Sequence, residues 1–424
     1  MKGKRTDISF SKRHILLLAF LYCLSGLLLS CQANTESDEL NGRITLWHSW
    51  SPSEFIVLEA ALDEFQEIHP DVRITAVALP KDQLLDSLYD AGTDGLGPDL
   101  FLGQDRWIGE LVENRVIRPL AKASTLEREM DYRNYVLTQY NGKQYGLPLS
   151  LAPYALYYNK TFVTQPPTTL DELLAEAAAG HRVAFVPRFE EAYWGIQAFG
   201  EGLFDDQSNF TLTQSGFVEW LTWLDDAQRA SGVILNIDDE SLLELFATGE
   251  IVYYVAKPEK QAQIDALLSE DTTFEYGVAP LPAGPFAPAG PLLPAETIML
   301  YTHSSSNQAK IANELALFLT NQQQSIRFMR ALSIVPANTA VQVDIRIYPN
   351  VFGFSQQAKT AVVIPNEIPS TPLKTAGDRA YVSVLSGILT PAEAVCRFGR
   401  EVVAIEGYAP IKISLPEGCY LTNE

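Results

Sequence analysis

Histidine, cysteine and methionine are scarce, with five, four and four in 424 residues. The histidines are scattered, and neither an HExxH pair nor a Cys/His ligand cluster occurs, which excludes a structural zinc site. Positive charge is short as well. The chain has 31 Lys and Arg against 52 Asp and Glu, a net charge of −21. That is the opposite of the basic face that displaces counterions from a phosphate backbone, so nucleic acid is excluded as a partner. Long apolar runs are missing except for one at the N-terminus. What remains is an ordinary globular balance, 47% hydrophobic and 20% charged, which rules out extended disorder. The length suits two or three domains of roughly 100–200 residues each, large enough to build a core without metals or disulfides.

The one apolar run follows Lys2, Lys4, Arg5, Lys12 and Arg13 and extends from Ile15 to Leu29. Basic-then-apolar order marks a secretory signal, and the run falls short of the roughly 20 residues that span a bilayer. It ends Leu28-Leu29-Ser30-Cys31, which resembles the bacterial lipoprotein box, where the cysteine is lipidated and becomes the first residue. The alternative is a membrane-anchor helix with an incidental cysteine. Residues 1–30 read as the signal and 31–42 as a polar tether. Cleavage removes five basic side chains and Asp7, leaving 26 basic and 51 acidic residues. Such a surface does not seek anionic lipid, so acyl chains on Cys31 would do the anchoring, outside the cytoplasmic membrane at the cell surface or in the periplasm. Cys23 is discarded with the signal. Cys396 and Cys419 remain, in an oxidising compartment, as either a disulfide pinning the C-terminal tail or two buried thiols.

The body alternates strand and helix. Arg43 to His48 is β-rich, and Ser51-Pro52-Ser53-Glu54 is a capping box with proline at the first helical position. Phe55, Leu58, Leu62 and Phe65 recur at helical spacing, and strands follow at 72–77 and 99–102. This predicts βαβ units and a parallel sheet. Thr169 with Glu172, Ser241 with Glu244, and Thr390 with Glu393 repeat the capping pattern, so the class is α/β. A Pro/Gly-rich stretch from Ala279 to Pro294 has no period and reads as a connector.

In this order, GPDLFLGQDRW, YGLPLSLAPYALYYNK, YGVAPLPAG and VPANTA resemble the bacterial extracellular solute-binding proteins of the maltose-binding type. The resemblance implies a two-lobed periplasmic-binding-protein fold with a hinge of three chain crossings, near 149–153, 292–297 and 332–337. One lobe would hold 43–150 plus 295–332, and the other 151–294 plus 333–424. It implies a small-molecule solute, carbohydrate first, held in the interlobe cleft at strand C-terminal ends. It also implies hinge closure, a monomer, no cofactor, and delivery to the permease of an ABC importer.

Trp47, His48 and Trp50 follow the first strand, where rings can stack on a sugar and polar edges can bond hydroxyls. Strand alternation turns Trp47 and His48 opposite ways, which favours Trp50. Asp105-Arg106 follow a Pro-Asp-apolar strand, as an Asp-Arg pair does in maltose-binding proteins, and can read vicinal hydroxyls as acceptor and planar donor. Tyr154 at the first crossing, and Tyr193 with Trp194 after the strand at 183–186, are candidate aromatic walls. Trp220 and Trp223, at helical spacing beside Leu221 and Leu224, read as structural. Two departures bear on the ligand. Ala152-Pro153 stand where the maltose-binding pattern has an acidic residue, and Lys257-Pro258-Glu259 replace its Gly-Pro-Trp. Maltodextrin itself is therefore in doubt, and Glu259 suits a hydroxyl-rich or cationic ligand.

No other chemistry is marked. Gly92 to Gly97 precedes a strand and does not join strand to helix, so it is no dinucleotide fingerprint, and no GxSxG elbow occurs. An importer component is the leading function, ahead of a ligand sensor for a membrane receptor and a secreted glycoside hydrolase. The N-terminal reading has a direct check. Palmitate labelling of cells should mark the wild type and not Cys31→Ala, and equal labelling of both would remove Cys31 as the lipid site.

Overall fold

The computed structural model describes residues 39–94, 97–121, 132–205, 209–268, 274–408 and 412–419. The signal segment, Cys31 and most of the tether lie outside the described residues. The strand Gly42–His48 alternates buried and half-buried side chains, with Ile44, Leu46 and His48 inward. Ser51 then caps the helix Pro52–Ile68 in a reciprocal capping box with Glu54. The helix lays Leu58, Ala61, Leu62 and Phe65 on the sheet. The strand Val72–Ala78 returns parallel to the first, Gly42 opposite Val72 and His48 opposite Ala78.

Two sheets organise the chain, one to a lobe. The first runs in the order Val335–Pro336, Gly146–Leu151, Ala295–Tyr301, Leu100–Gln104, Gly42–His48 and Val72–Ala78, with Ile117–Arg118 also on Ala295–Tyr301. Gly42–His48 is parallel to both of its neighbours. Ala295–Tyr301 is antiparallel to Leu100–Gln104 and to Gly146–Leu151. The sheet is therefore mixed, where parallel units were expected. The cause is the connectivity: the chain re-enters from the other lobe at the cleft side and so runs against the strands that end there. The second sheet has the order Val233–Leu235, Val183–Phe185, Tyr253–Ala256, Ala155–Asn159 and Tyr276–Ala279. It too mixes parallel and antiparallel pairs.

The chain passes between the sheets after Leu151, before Ala295, and after Pro336, which still pairs with Ser150 in the first sheet. Helix Pro349–Ala358 then packs on the second sheet, where a Cβ on Gly353 would overlap Val278. Thr169 and Thr390 cap as read. Ser241 does not. The helix Asp239–Ala247 starts earlier because Asp238 accepts from the Ser241 amide and places that serine inside the first turn. Ser305 and Gln308 form a further capping box, which the sequence reading passed over. Cys396 and Cys419, 23 residues apart with Cα atoms 4.9 Å apart, form a disulfide that ties the tail to the helix Pro391–Val403. Among the described residues no helix is long and apolar enough to cross a membrane.

Trp220 centres the second lobe's core. It is fully buried, lies 4.6 Å from the Trp194 ring, and its Nε1 donates to Ala192 O at 2.8 Å. Trp223 stacks on its outer face at 5.1 Å. Trp220→Ala should cost about 3–5 kcal/mol in urea denaturation, the range for emptying a large buried ring site. A loss below about 1 kcal/mol, typical of surface positions, would place the ring outside the cooperative core.

Candidate functional site

Between the sheets lies a cleft of about 750 Å³, within the roughly 300–1,000 Å³ of small-ligand cavities. Strand ends build its first-lobe wall. Gly42–His48 delivers Trp50, Leu100–Gln104 delivers Asp105 and Arg106 on a single 3-10 turn, and the returning Ala295–Tyr301 delivers Glu296. Glu296 sits at a register shift in the pairing with Gly146–Leu151: it faces Ser150 while Thr297 faces Pro148, so Leu149 of the partner strand is the extra residue.

The wall is hydrogen-bonded into one unit. Trp50 Nε1 donates to Glu296 Oε1 at 2.8 Å, and the indole packs edge-on against Phe328 at 5.6 Å. The Ala295 amide donates to Asp105 Oδ1 at 2.8 Å. Both carboxyls lie deep among protein atoms and keep part of their surface open to the cleft. Burial pushes Glu296 up to about 7, with the negative charges of Glu54 and Glu259 adding to it and the Trp50 bond and Lys81 opposing. Burial likewise pushes Asp105 up to about 6 against the Ala295 amide and Arg106.

The second-lobe wall carries Tyr154, Glu190, Lys257, Glu259 and Lys374. Lys257 Nζ stands 5.1 Å from the centre of the Tyr154 ring, a cation–π distance. Arg106 Nη1 reaches across to Glu190 at 3.3 Å. Donors, acceptors and aromatic faces thus converge from both lobes, which is what recognition of a polar solute needs.

Of the residues singled out in sequence, Trp50, Asp105, Arg106, Tyr154 and Glu259 line this cleft. Asp105 and Arg106 diverge: one is held by a backbone amide of its own lobe and the other by a carboxylate of the opposite lobe. Four others are corrected. His48 is buried, stacks on Phe55 at 4.9 Å, and accepts the Trp50 amide on Nδ1, so it supports the turn below the cleft. Trp47 points to the other face, level with Phe101 on the next strand, and packs half-buried against the apolar cluster that includes Phe101. Tyr193 and Trp194 are fully buried against Phe185, Phe189 and Trp220, because the chain turns into the helix Trp194–Phe199 well past the strand end. The sequence reading missed Glu296, Glu54, Lys81, Glu190 and Lys374. Glu296 did carry a signal, as a lone carboxyl opening an apolar strand at an expected crossing. Among the described residues no group of His, Cys, Asp and Glu could hold a metal ion.

The raised Glu296 carries a sign. An acid whose folded pKa exceeds its unfolded value of about 4.3 binds more protons when folded. Its favourable contribution is complete below that unfolded value and is lost as pH rises through about 7. Glu296→Gln should therefore raise the melting temperature relative to wild type more at pH 8 than at pH 5. An equal difference at both pH values would show that the carboxyl ionises as it does in water.

Comparison with known proteins gives a consistent family. The family model for bacterial extracellular solute-binding proteins matches residues 60–352. A maltotriose-binding protein of Pyrococcus abyssi is 26% identical over 78% of this chain and 74% of its own length. A galactooligosaccharide-binding protein of Bacillus subtilis is 22% identical over 86% of this chain and 89% of its own. The crystal structure of a cyclo/maltodextrin-binding protein with maltotetraose superposes with a TM-score of 0.77 at 21% identity, covering 88% of this chain and all of the other. With the family match spanning most of the chain and the two-lobed fold shared, the protein belongs to the bacterial extracellular solute-binding proteins.

Proposed function

We propose that the protein captures a short oligosaccharide in the interlobe cleft, closes on it by hinge motion, and delivers it to the permease of an ABC importer while tethered outside the membrane through lipid on Cys31. It does so without chemical turnover. The observation that carries the reading is the hydrogen-bonded unit of Trp50, Glu296 and Asp105 facing Tyr154 and Lys257 across the cleft. Carboxylates accept from sugar hydroxyls, the ammonium donates to them, and the rings cover C–H faces. Contacts from both walls give the ligand its preference for the closed form, which alone shifts the equilibrium. The relatives support the solute class, since they are named for maltotriose and galactooligosaccharide.

Charge distinguishes this cleft from a neutral aromatic slot. Lys257, Glu259 and Lys374 line the second-lobe wall, so ring stacking there falls to Tyr154. The ligand is then gripped more by hydrogen bonds than by stacking, and a change of hydroxyl stereochemistry should cost more than a change of chain length. Hydrogen bonds to charged groups are worth about 1.5–3 kcal/mol each. Maltotriose, cellotriose and galactooligosaccharides provide the screen. The cognate sugar at about 100 times its dissociation constant adds roughly 2.7 kcal/mol of stability. Trp50→Ala should weaken its binding by at least tenfold in calorimetry. No shift with any oligosaccharide, or steady release of a cleaved product, would overturn the proposal.

A further inference from the structure

A polar seam joins the lobes at the edge of the cleft, sharing Arg106, Glu190, Asn366 and Ser370 with its lining. On the first lobe it comprises Arg106, Gly109 and the hairpin Gln139–Gln144, which is anchored to that lobe by Tyr140 against Glu113. On the second lobe it comprises Glu190 and the segment 366–370, which leads into the helix Ser370–Leu385 with Leu373 and Ala376 in that lobe's core. Asn366 Nδ2 donates to Leu137 O at 2.8 Å and to Gln139 O at 2.9 Å. The Asn141 amide donates to Glu367 Oε1 at 2.7 Å, Ser370 Oγ to Arg106 O at 3.4 Å, and Arg106 Nη1 to Glu190 at 3.3 Å. We infer that this seam is a clasp: Asn366, seated against Gly109 and completed by the Arg106–Glu190 pair, holds the two lobes together before any ligand arrives.

Gly109 supplies the independent observation. It lies within the short helix Ile108–Glu113, where glycine is a poor choice for helix stability. A Cβ at this position would overlap the carbonyl oxygen of Asn366. The glycine therefore costs its own helix and admits the backbone of the other lobe. The Asn141 amide makes the same point from the hairpin. Asn141 and Gly142 occupy a tight turn with φ of 46° and 70°, the primed geometry in which the first turn amide has no partner within the hairpin. Its hydrogen bond comes from the opposite lobe. Arg106 and Glu190 are partly exposed, so that ion pair alone contributes little, and the amide contacts dominate.

A clasp of this kind sets how much of the ligand-free protein is closed. Apparent affinity scales with the fraction already competent to bind, so Gly109, Asn141 and Glu367, which lie outside the lining of the cleft, would tune capture. The inference uses the two-lobed fold and is independent of the solute's identity.

The test needs no sugar. Amide hydrogen exchange at residue resolution on the ligand-free mature protein should find Asn141 slowed at least tenfold against a free peptide. Gly109→Ala and Asn366→Ala should each restore most of that rate, and small-angle scattering should show a larger radius of gyration. Amides of Leu100–Gln104 should keep their protection, which separates seam opening from unfolding. Asn141 exchanging freely in the wild type, or staying protected in a correctly folded Gly109→Ala, would overturn the clasp. Should Gly109→Ala fail to fold, Asn366→Ala decides alone, since it shortens one half-buried side chain and adds no atoms to the seam. Unchanged protection there overturns the clasp equally.

Discussion

The hydrogen bond from the Ala295 amide to the Asp105 carboxylate fastens two strand ends that lie 190 residues apart in the chain. One strand finishes at the cleft and the other begins there. Their antiparallel pairing sets Glu296 opposite Gln104, and Glu296 in turn fixes the indole of Trp50. Three backbone segments far apart in sequence thereby become one rigid wall. A wall of preset donors and acceptors binds without first paying to order its own side chains. The same bonds leave two carboxyls where water is limited, and their elevated proton affinities record the electrostatic cost of that arrangement.

The sequence disclosed what is local. Ser51 with Glu54, Thr169 with Glu172 and Thr390 with Glu393 fix helix starts within four residues, and each forms as a reciprocal cap. Strand alternation separated Trp47 from His48 correctly, yet it could not tell that neither side faces the cleft. His48 turns down to support Trp50, and Trp47 lies level with Phe101. Tyr193 and Trp194 show the limit of placing residues by distance past a strand. The intervening loop carries them back over the sheet into the core, where Trp220 covers them. Glu296 needed knowledge of which strands become neighbours, and that depends on the order in which the sheet is woven. Gly109 was illegible for a related reason: its demand comes from a backbone in the other lobe.

The cleft's charges act by arrangement more than by number. Arg106 and Glu190 neutralise each other across the gap. Lys374 lies on Asp378 beneath the second wall, and Lys257 lies over Tyr154. Glu296 and Asp105 both keep their protons to higher pH than free carboxyls do, Glu296 the more so, in the shared field of Glu54, Glu259 and Lys81. A solute that donates to Glu296 selects its ionised form, so occupancy and proton release are coupled at this position.

The place of Ala295–Tyr301 in the first sheet also governs the order of assembly. It lies between Leu100–Gln104 and Gly146–Leu151, but emerges only after the whole run that supplies the second sheet. The second sheet draws its strands from one continuous stretch, Ala155–Asn159 to Tyr276–Ala279. A chain produced from its N-terminus can thus pair all of those strands while Leu100–Gln104 still presents an unpaired edge. Such an edge recruits foreign strands when left open. The later-born lobe is then the first able to complete its sheet, and the earlier-born one waits on it, which makes the interval before residue 295 appears the period of greatest exposure to aggregation.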